Sequence, residues 1–424
     1  MPRRYFGTDG VRGVVGEDLT PALVERLGRA FGAWMGSAGG RSVLVGRDTR
    51  ASGPELERAL AAGLCAAGRD VVLGGVLPTP AVALLAEDHA AVVSASHNPP
   101  EYNGLKLLAP GGRKLSDAEE AAIEARLDGR GTAEEGTVRA ANGLHQRYLE
   151  LVVRRFGRDL RGLRVALDCA NGAMSSIAPA AFERVGARVT PLAAEPDGTN
   201  INVGCGATDL SLLAAAVREG SFDIGIAFDG DGDRMLAVDA SGTPVDGDQI
   251  LAILALHTGV AVVAVTTLTN LGFHELMGRH GIRVVTTDVG DRYVLEALTR
   301  EGGVLGGEQS GHIIDLRGQV TGDGLAAALL LCAALEGRSL AEAAAVMPRY
   351  PQVKENVPAT RKELSAALLR EVERINEELG ETGRAVVRPS GTEPVVRVLA
   401  EARTRENASE ICARIAALVR RELG

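Results

Sequence analysis

The chain has 424 residues, too many for one ordinary hydrophobic core, so several domains are expected. Hydrophobic residues make up 46% and charged residues 24%, the balance of a soluble globular protein; aromatics, at 3%, leave Ala, Leu and Val to fill the cores. A net charge of −9 argues against nucleic acid as a partner, so an anionic substrate has to be met by local Arg and Lys.

The first residues, Met-Pro-Arg-Arg-Tyr-Phe-Gly, lack the apolar stretch of a signal peptide. Five cysteines, at 65, 169, 205, 332 and 412, form no C-x-x-C pair and read as structural thiols of a reducing cytoplasm. The expectation is a cytoplasmic protein without membrane partner. The most apolar stretch, Leu251 to Leu268, contains His257 and Gly259 and reads as a helix end, a turn and a strand.

In chain order, the first segment offers strands at Val43–Val45, Val71–Leu73 and Ala90–Val93, with a helix around Pro54–Ala67. The second offers strands at Arg164–Leu167, Arg188–Pro191 and Ile224–Phe228, with a helix near Ile177–Val185. The third offers strands at Val260–Val265, Arg283–Thr286 and Gly303–Leu305, with a helix near Phe273–Arg279. Strand–helix alternation with apolar strands predicts parallel α/β units, whose ligands sit beyond the carboxyl ends of the strands. The C-terminal part differs. It has a helical apolar period over 361–379, strands at Ala385–Val387 and Val395–Ala400, and a last helix from about Asn407 to Leu423. The fold expected is therefore α/β: three similar α/β domains around a central cleft, over 1–150, 151–246 and 247–356, plus a smaller C-terminal α+β domain over 357–424. Pro348, Pro351 and Pro358 mark the junction as a hinge.

The third strand of each segment runs into a polar loop. Ser94-Ala-Ser-His-Asn-Pro-Pro100 follows Ala90–Val93, and a serine beside a histidine at a strand end is a nucleophile candidate. Asp229-Gly-Asp-Gly-Asp-Arg234 follows Ile224–Phe228. Alternation on an extended backbone would aim Asp229, Asp231 and Asp233 the same way, and three such charges need a cation between them. Oxygen ligands suit Mg²⁺ or Ca²⁺. An EF-hand is excluded, because Arg234 stands where that loop needs Gly and Ala240 where it needs a bidentate acid. Mg²⁺ usually shares its shell with a phosphate. Glu308-Gln-Ser-Gly-His312 carries groups that suit sugar hydroxyls. In the C-terminal part, Arg388-Pro-Ser-Gly-Thr-Glu-Pro394 with Arg397 makes a phosphate cradle of hydroxyls and guanidiniums.

Together with Arg4-Tyr-Phe-Gly-Thr-Asp-Gly-Val-Arg-Gly13, these loops in this order resemble the α-D-phosphohexomutase superfamily over nearly the whole chain. Gln309 and Thr287-Asp-Val-Gly-Asp-Arg-Tyr293 resemble its glucosamine-phosphate branch. The resemblance implies an isomerase that carries phosphate on Ser96. Mg²⁺ would be held by Asp229, Asp231, Asp233 and a phosphoserine oxygen. Glucosamine 6-phosphate and glucosamine 1-phosphate would interconvert through a 1,6-bisphosphate, feeding UDP-N-acetylglucosamine synthesis, with glucosamine 1,6-bisphosphate or another hexose 1,6-bisphosphate as primer. His97, Lys106 and Arg12 would join Ser96 in catalysis. Arg234, Glu308, Ser310 and His312 would bind substrate, and Arg388, Ser390, Gly391, Thr392 and Arg397 would hold the non-reacting phosphate. A homodimer and a priming kinase are the further partners considered. Three alternatives stay open: a phosphomannomutase/phosphoglucomutase on neutral sugars, a metal-dependent phosphatase, and a non-catalytic sugar-phosphate binding protein.

Overall fold

The computed structural model describes residues 4–7, 9–37, 39–129, 135–361, 363–390 and 394–423. The first sheet holds β1 Val11–Val14, β2 Ser42–Arg47, β3 Asp70–Val76, β4 His89–Val93, β5 Tyr102–Ala109, β6 Arg113–Lys114 and β7 Val138–Ala140. Its order is β1-β5-β4-β2-β3-β7, with β6 on β5. The second sheet holds β8 Arg164–Asp168, β9 Arg188–Leu192, β10 Ile224–Phe228, β11 Met235–Asp239 and β12 Pro244–Val245, in the order β12-β11-β10-β8-β9. The third holds β13 Val262–Thr266, β14 Arg283–Thr287, β15 Leu305–Gly307 and β16 Ile313–Asp315, in the order β14-β13-β15-β16.

One plan underlies all three. Apart from β1, the leading strand of each unit pairs in parallel with the next two, as β2 does with β3 and β4, β8 with β9 and β10, and β13 with β14 and β15. The third strand then turns back into an antiparallel neighbour, β5, β11 or β16. Each polar loop is thus the connection of an antiparallel pair, and the return strands are elements the sequence pattern did not reveal. β4 and β10 are buried at every residue, which is why they read as unbroken apolar runs. One continuous apolar core runs through the three units, from Leu44 and Ala90 past Val165 and Ile226 to Val263 and Leu305. At its centre lie helices Gly247–Thr258 and Gly324–Leu335, apolar on nearly every face. Gly259 closes the first of them in a left-handed cap (φ +62°) before β13, so the Leu251–Leu268 stretch is the helix end, turn and strand expected. Among the described residues, no helix is long and apolar enough to cross a membrane.

The fourth unit is an antiparallel sheet, β17 Gln352–Pro358, β18 Gly383–Pro389 and β19 Val395–Ala402, in the order β17-β19-β18. Helices Ala366–Leu379 and Arg405–Leu423 pack on it around a separate core that includes Val357, Ile375, Val398 and Ile415. The expectation of a hinge over 348–358 is corrected here. Residues 352–358 pair with β19 at all seven positions, and a domain boundary at 356/357 would cut that strand. Prolines did not prevent this because β17 is an edge strand, and Pro358 closes it. The link between the third and fourth units is therefore the shorter 348–351.

Candidate active site

The Asp229–Arg234 segment follows β10 as a tight turn, not as the extended run expected. Gly232 takes φ +73° and its N–H donates to the Asp229 carbonyl at 3.1 Å. The turn, rather than strand alternation, converges the three carboxylates. Asp229, Asp231 and Asp233 are buried, and one oxygen from each lies within 4.8 Å of the others. Burial, then repulsion from Asp233 and Asp231, holds Asp229 well above the usual carboxylate range. Asp231 Oδ1 and Asp233 Oδ1 are buried without a hydrogen-bond partner. Hard oxygen donors, like charge and unsatisfied buried acceptors fit a divalent cation, and this triad could bind one.

Ser96 comes from the β4–β5 loop of the first unit and reaches this turn of the second. Its Oγ donates to Asp229 Oδ2 at 2.6 Å and lies 3.2 Å from His97 Nδ1. Ser94 faces the other way. Its Oγ donates to Asp48 Oδ2 at 2.6 Å and accepts from the Ser96 N–H at 2.9 Å. His97 is pushed down to about 4 by burial and by the charges of Arg234 and Arg12, so its imidazole is neutral at pH 7.

Lys106 lies on β5, which leads back from the Ser96 loop, and its side chain is 3% exposed. Its Nζ donates to Asp231 Oδ2 at 2.8 Å and Asp233 Oδ2 at 2.9 Å, and lies 3.2 Å from Asp9 Oδ2. Burial pulls the pKa of this amine down, but Asp231, Asp233 and Asp9 hold it well above the usual lysine range. It is a fixed positive charge and not a base. Arg12 pairs with Asp9 and donates to Asn98 Oδ1 at 3.3 Å. Arg234 sits 3.9 Å from Asp233 Oδ1, its side chain 22% exposed, and so still reaches solvent.

Glu308, Gln309 and Ser310 are half-buried on the β15–β16 loop. Glu308 Oε1 accepts from the Gly290 N–H at 3.1 Å; burial, then the charge of Asp291, raises its pKa. His312 is placed differently from the sugar contact expected of it. It is 2% exposed and lies beneath the triad, with Nδ1 3.7 Å from Asp233 Oδ1 and Nε2 3.1 Å from Asp291 Oδ2. Burial would favour the neutral ring, but Asp291 and Asp233 lift it to about 10. The imidazolium balances acids, because the loop folds inward through Gly311 (φ +90°), where a Cβ would meet the Met235 carbonyl at 2.2 Å.

Gln309 points at the fourth unit. It donates to Asp248 Oδ2 at 3.3 Å and Gln352 Oε1 at 3.2 Å, and accepts from Lys354 Nζ at 2.8 Å. Asp248 itself is pushed up to about 7, first by burial and then by Asp246. A buried acid of raised pKa binds its proton more tightly folded than unfolded, so its stability contribution is complete below about pH 4 and falls as pH rises towards 7. Asp248→Asn is therefore expected to gain stability relative to the parent between pH 4 and pH 8, by at most about 4 kcal/mol. Parallel melting curves for parent and variant over that range check the sign.

On the fourth unit, Arg388 and Arg397 stand opposite each other on β18 and β19, and Arg397 Nη2 donates to Ser390 Oγ at 3.4 Å. Burial, then the charge of Arg397, lowers the Arg388 pKa, while Glu308 across the cleft raises it. Two arginines at one register position beside a serine hydroxyl suit an anionic ligand. Gly391 and Thr392 lie outside the described residues. Sequence reasoning missed several contributors. Asp9 ties Arg12, Lys106 and Lys114 together, Asp291 pairs with Lys114 at 2.6 Å, and Thr79 donates to Asp231 Oδ2 at 2.5 Å. Asp9 and Asp291 stood inside motifs already noticed. Thr79 gave no local signal.

Three strand-end loops around a buried acid triad, with a fourth unit bearing two arginines at one register position, make an arrangement suited to phosphoryl transfer, as in the phosphohexomutase class. All four family models for phosphoglucomutase/phosphomannomutase match in order: α/β/α domain I over residues 3–134, domain II over 146–242, domain III over 246–350 and the C-terminal domain over 351–418. The chain belongs to the phosphoglucomutase/phosphomannomutase family, whose enzymes are isomerases. Its curated relatives include phosphoglucosamine mutases. That of Saccharopolyspora erythraea is 48% identical, with 98% of this chain and 99% of the relative covered. That of Thermobifida fusca is 49% identical, covering 99% of each. Among solved structures, a phosphoglucomutase/phosphomannomutase family protein of Burkholderia thailandensis superposes with a TM-score of 0.87 at 26% identity, covering 98% of this chain and 97% of that one. The N-acetylphosphoglucosamine mutase of Aspergillus fumigatus, solved with GlcNAc-6P and magnesium, shares the fold with a TM-score of 0.74 at 19% identity, over 99% of this chain and 96% of that one.

Proposed function

We propose that this chain interconverts glucosamine 6-phosphate and glucosamine 1-phosphate by way of a phosphorylated Ser96 and a 1,6-bisphosphate. The observation that carries the reading is the 2.6 Å contact of Ser96 Oγ with Asp229, which sets a hydroxyl at the rim of a buried acid triad. Asp229, Asp231, Asp233 and a phosphoserine oxygen would hold Mg²⁺. When bound, that ion neutralises charge developing on the transferred phosphoryl group.

The chain's own residues supply the rest. The Oγ–P bond of phosphoserine breaks as the sugar hydroxyl oxygen bonds to phosphorus. The sugar hydroxyl gives up its proton as it bonds, and Ser96 Oγ regains one as it leaves; neutral His97, 3.2 Å from Oγ, is placed to carry that proton. Lys106 and Arg12 are fixed positive charges beside the transfer path. Arg388, Arg397 and Ser390, with Gly391 and Thr392, grip the phosphate that does not react. A hexose 1,6-bisphosphate primes Ser96 at the start, or a kinase does so. The separate core of the fourth unit and its short 348–351 link favour closure over the substrate, which keeps water from the phosphoryl group. Five free thiols agree with a cytoplasmic setting. A homodimer belongs to the same reading.

Both phosphates are common to every hexose phosphate, so discrimination falls to the group at sugar carbon 2. Glu308 would gain a charge-assisted bond from an ammonium there, a gain of roughly 1.5–3 kcal/mol, or about ten- to a hundredfold. A coupled assay with glucosamine, glucose and mannose phosphates is expected to show kcat/KM higher for glucosamine by about that factor. Equal values for glucosamine and glucose would transfer the chain to the neutral-sugar alternative.

A further inference from the structure

Ser96 occupies a left-handed backbone conformation, φ +53°, which an L-residue other than Gly, Asn or Asp seldom adopts. Something outside the loop must hold it there. Arg50 is fully buried against Asp48, both side chains being 0% exposed. Its guanidinium donates to four carbonyls of the loop: Ser96 at 3.0 Å, Asn98 at 2.8 Å, Tyr102 at 2.9 Å, and Pro99. From the second unit, Asn202 Nδ2 donates to two of the same carbonyls, Ser96 at 2.9 Å and Asn98 at 3.0 Å. Gly230 of the acid turn makes room for this grip. A Cβ there would meet the Ser96 carbonyl at 2.6 Å and Asn202 Nδ2 at 3.0 Å.

Asn202 is itself held in the left-handed region (φ +60°), with its N–H on the Ala170 carbonyl at 2.9 Å. Ala170, Asn171 and Ala193 are left-handed as well, and the Asn171 N–H donates to the Ala193 carbonyl at 2.5 Å. Five of the six positive-φ residues other than glycine among the described residues thus belong to one hydrogen-bonded assembly under Ser96. The sixth, Glu336, caps a helix. Strain concentrated at one place marks a geometry that function requires.

We infer that Arg50 and Asn202 are positioning residues: from two different units they clamp the Ser96 and Asn98 carbonyls and so aim Ser96 Oγ at Asp229. Neither touches the reacting atoms. Both act through the Ser96 backbone, and Asn202 ties the nucleophile loop of the first unit to the acid turn of the second. The assignment rests on the phosphoserine reading of Ser96.

The test uses the full-length protein, assayed for kcat and KM well below its melting temperature. Asn202→Gly deletes the amide but allows the left-handed backbone. Arg50→Lys keeps the buried charge but loses the forked grip. Tyr148→Phe serves as a control, since it breaks a buried bond to Asp323, the cap of helix Gly324–Leu335, and leaves the donors to the Ser96 and Asn98 carbonyls in place. Asn202→Gly and Arg50→Lys are expected to lower kcat about ten- to a hundredfold, as misplacing a reacting group by about 1 Å does. KM should stay within about twofold, because substrate contacts are untouched. Single-turnover phosphorylation of Ser96 by a hexose 1,6-bisphosphate should slow by the same factor. The two losses should combine to less than their product, as both grip the same carbonyls. A parent-like kcat in Asn202→Gly overturns the assignment, as does a fall no larger than in Tyr148→Phe at equal folded fraction. Turnover retained by Ser96→Ala would instead overturn the phosphoserine reading itself.

Discussion

Ser96→Ala is expected to abolish mutase turnover, by a factor of about 10⁴ or more, while leaving a folded protein. The hydroxyl is the group proposed to carry phosphate, and the neighbouring serine is not placed to substitute for it. Ser94, two residues away, is committed to Asp48 and to the Ser96 N–H. Structurally the loss is one hydrogen bond to Asp229, worth about 1 kcal/mol. The backbone angle separates chemistry from stability. At φ +53° alanine is as strained as serine, whereas glycine is not. Ser96→Gly should therefore be as inactive as Ser96→Ala yet more stable by about 1 kcal/mol. A coupled assay, melting curves and phosphopeptide mass spectrometry on the parent check the three parts. Phosphate recovered on Ser94, or an alanine variant that turns over, would remove Ser96 from its role.

The residues proposed to perform chemistry were legible in the sequence because their types and local spacing are constrained. Asp229, Asp231 and Asp233 announce themselves within five positions. The placement of the polar loops at equivalent strand ends followed from the apolar runs of β4 and β10. What stayed hidden depends on contacts between distant parts of the chain. Asn202 meets Ser96 from 106 residues away and stands in an unremarkable polar loop, so no window on the sequence could reveal it. The return strands β5, β11 and β16 follow turns whose glycines and prolines read as the end of an element, not as its reversal. Gln309 was read beside Glu308 as part of a sugar-binding loop, yet it faces Asp248, Gln352 and Lys354. Adjacent residues on a loop need not face the same way. The prolines at 348–358 suggested a break, yet only Pro348 and Pro351 lie in the link, while Pro358 ends an edge strand.

Lys106→Met is the second change of large expected effect, and it tests the cation reading without relying on catalysis. Lys106 is the amine donating to both Asp231 and Asp233, and all three side chains are buried. Methionine keeps the length and apolar stem but removes the charge. The acids then lie buried and like-charged without that amine between them. Removing one partner of a buried pair costs about 3–5 kcal/mol, so the variant in chelator should melt well below the parent. A divalent cation answers the same need. If the triad binds Mg²⁺ in the folded state alone, Mg²⁺ at a hundred times its Kd adds about 2.7 kcal/mol. The melting temperature of the variant should then rise with Mg²⁺ by more than that of the parent, whose lysine competes for the same carboxylates. Turnover should remain low even with Mg²⁺, by about 10²–10³, because a preorganised positive charge beside the transferred group has been lost. Melting curves over a Mg²⁺ series, with and without chelator, give both readings in one experiment. A variant as stable as the parent in chelator would show that the lysine does not balance the acids. A melting temperature indifferent to Mg²⁺ in both proteins would remove the metal from the Asp229–Asp233 turn.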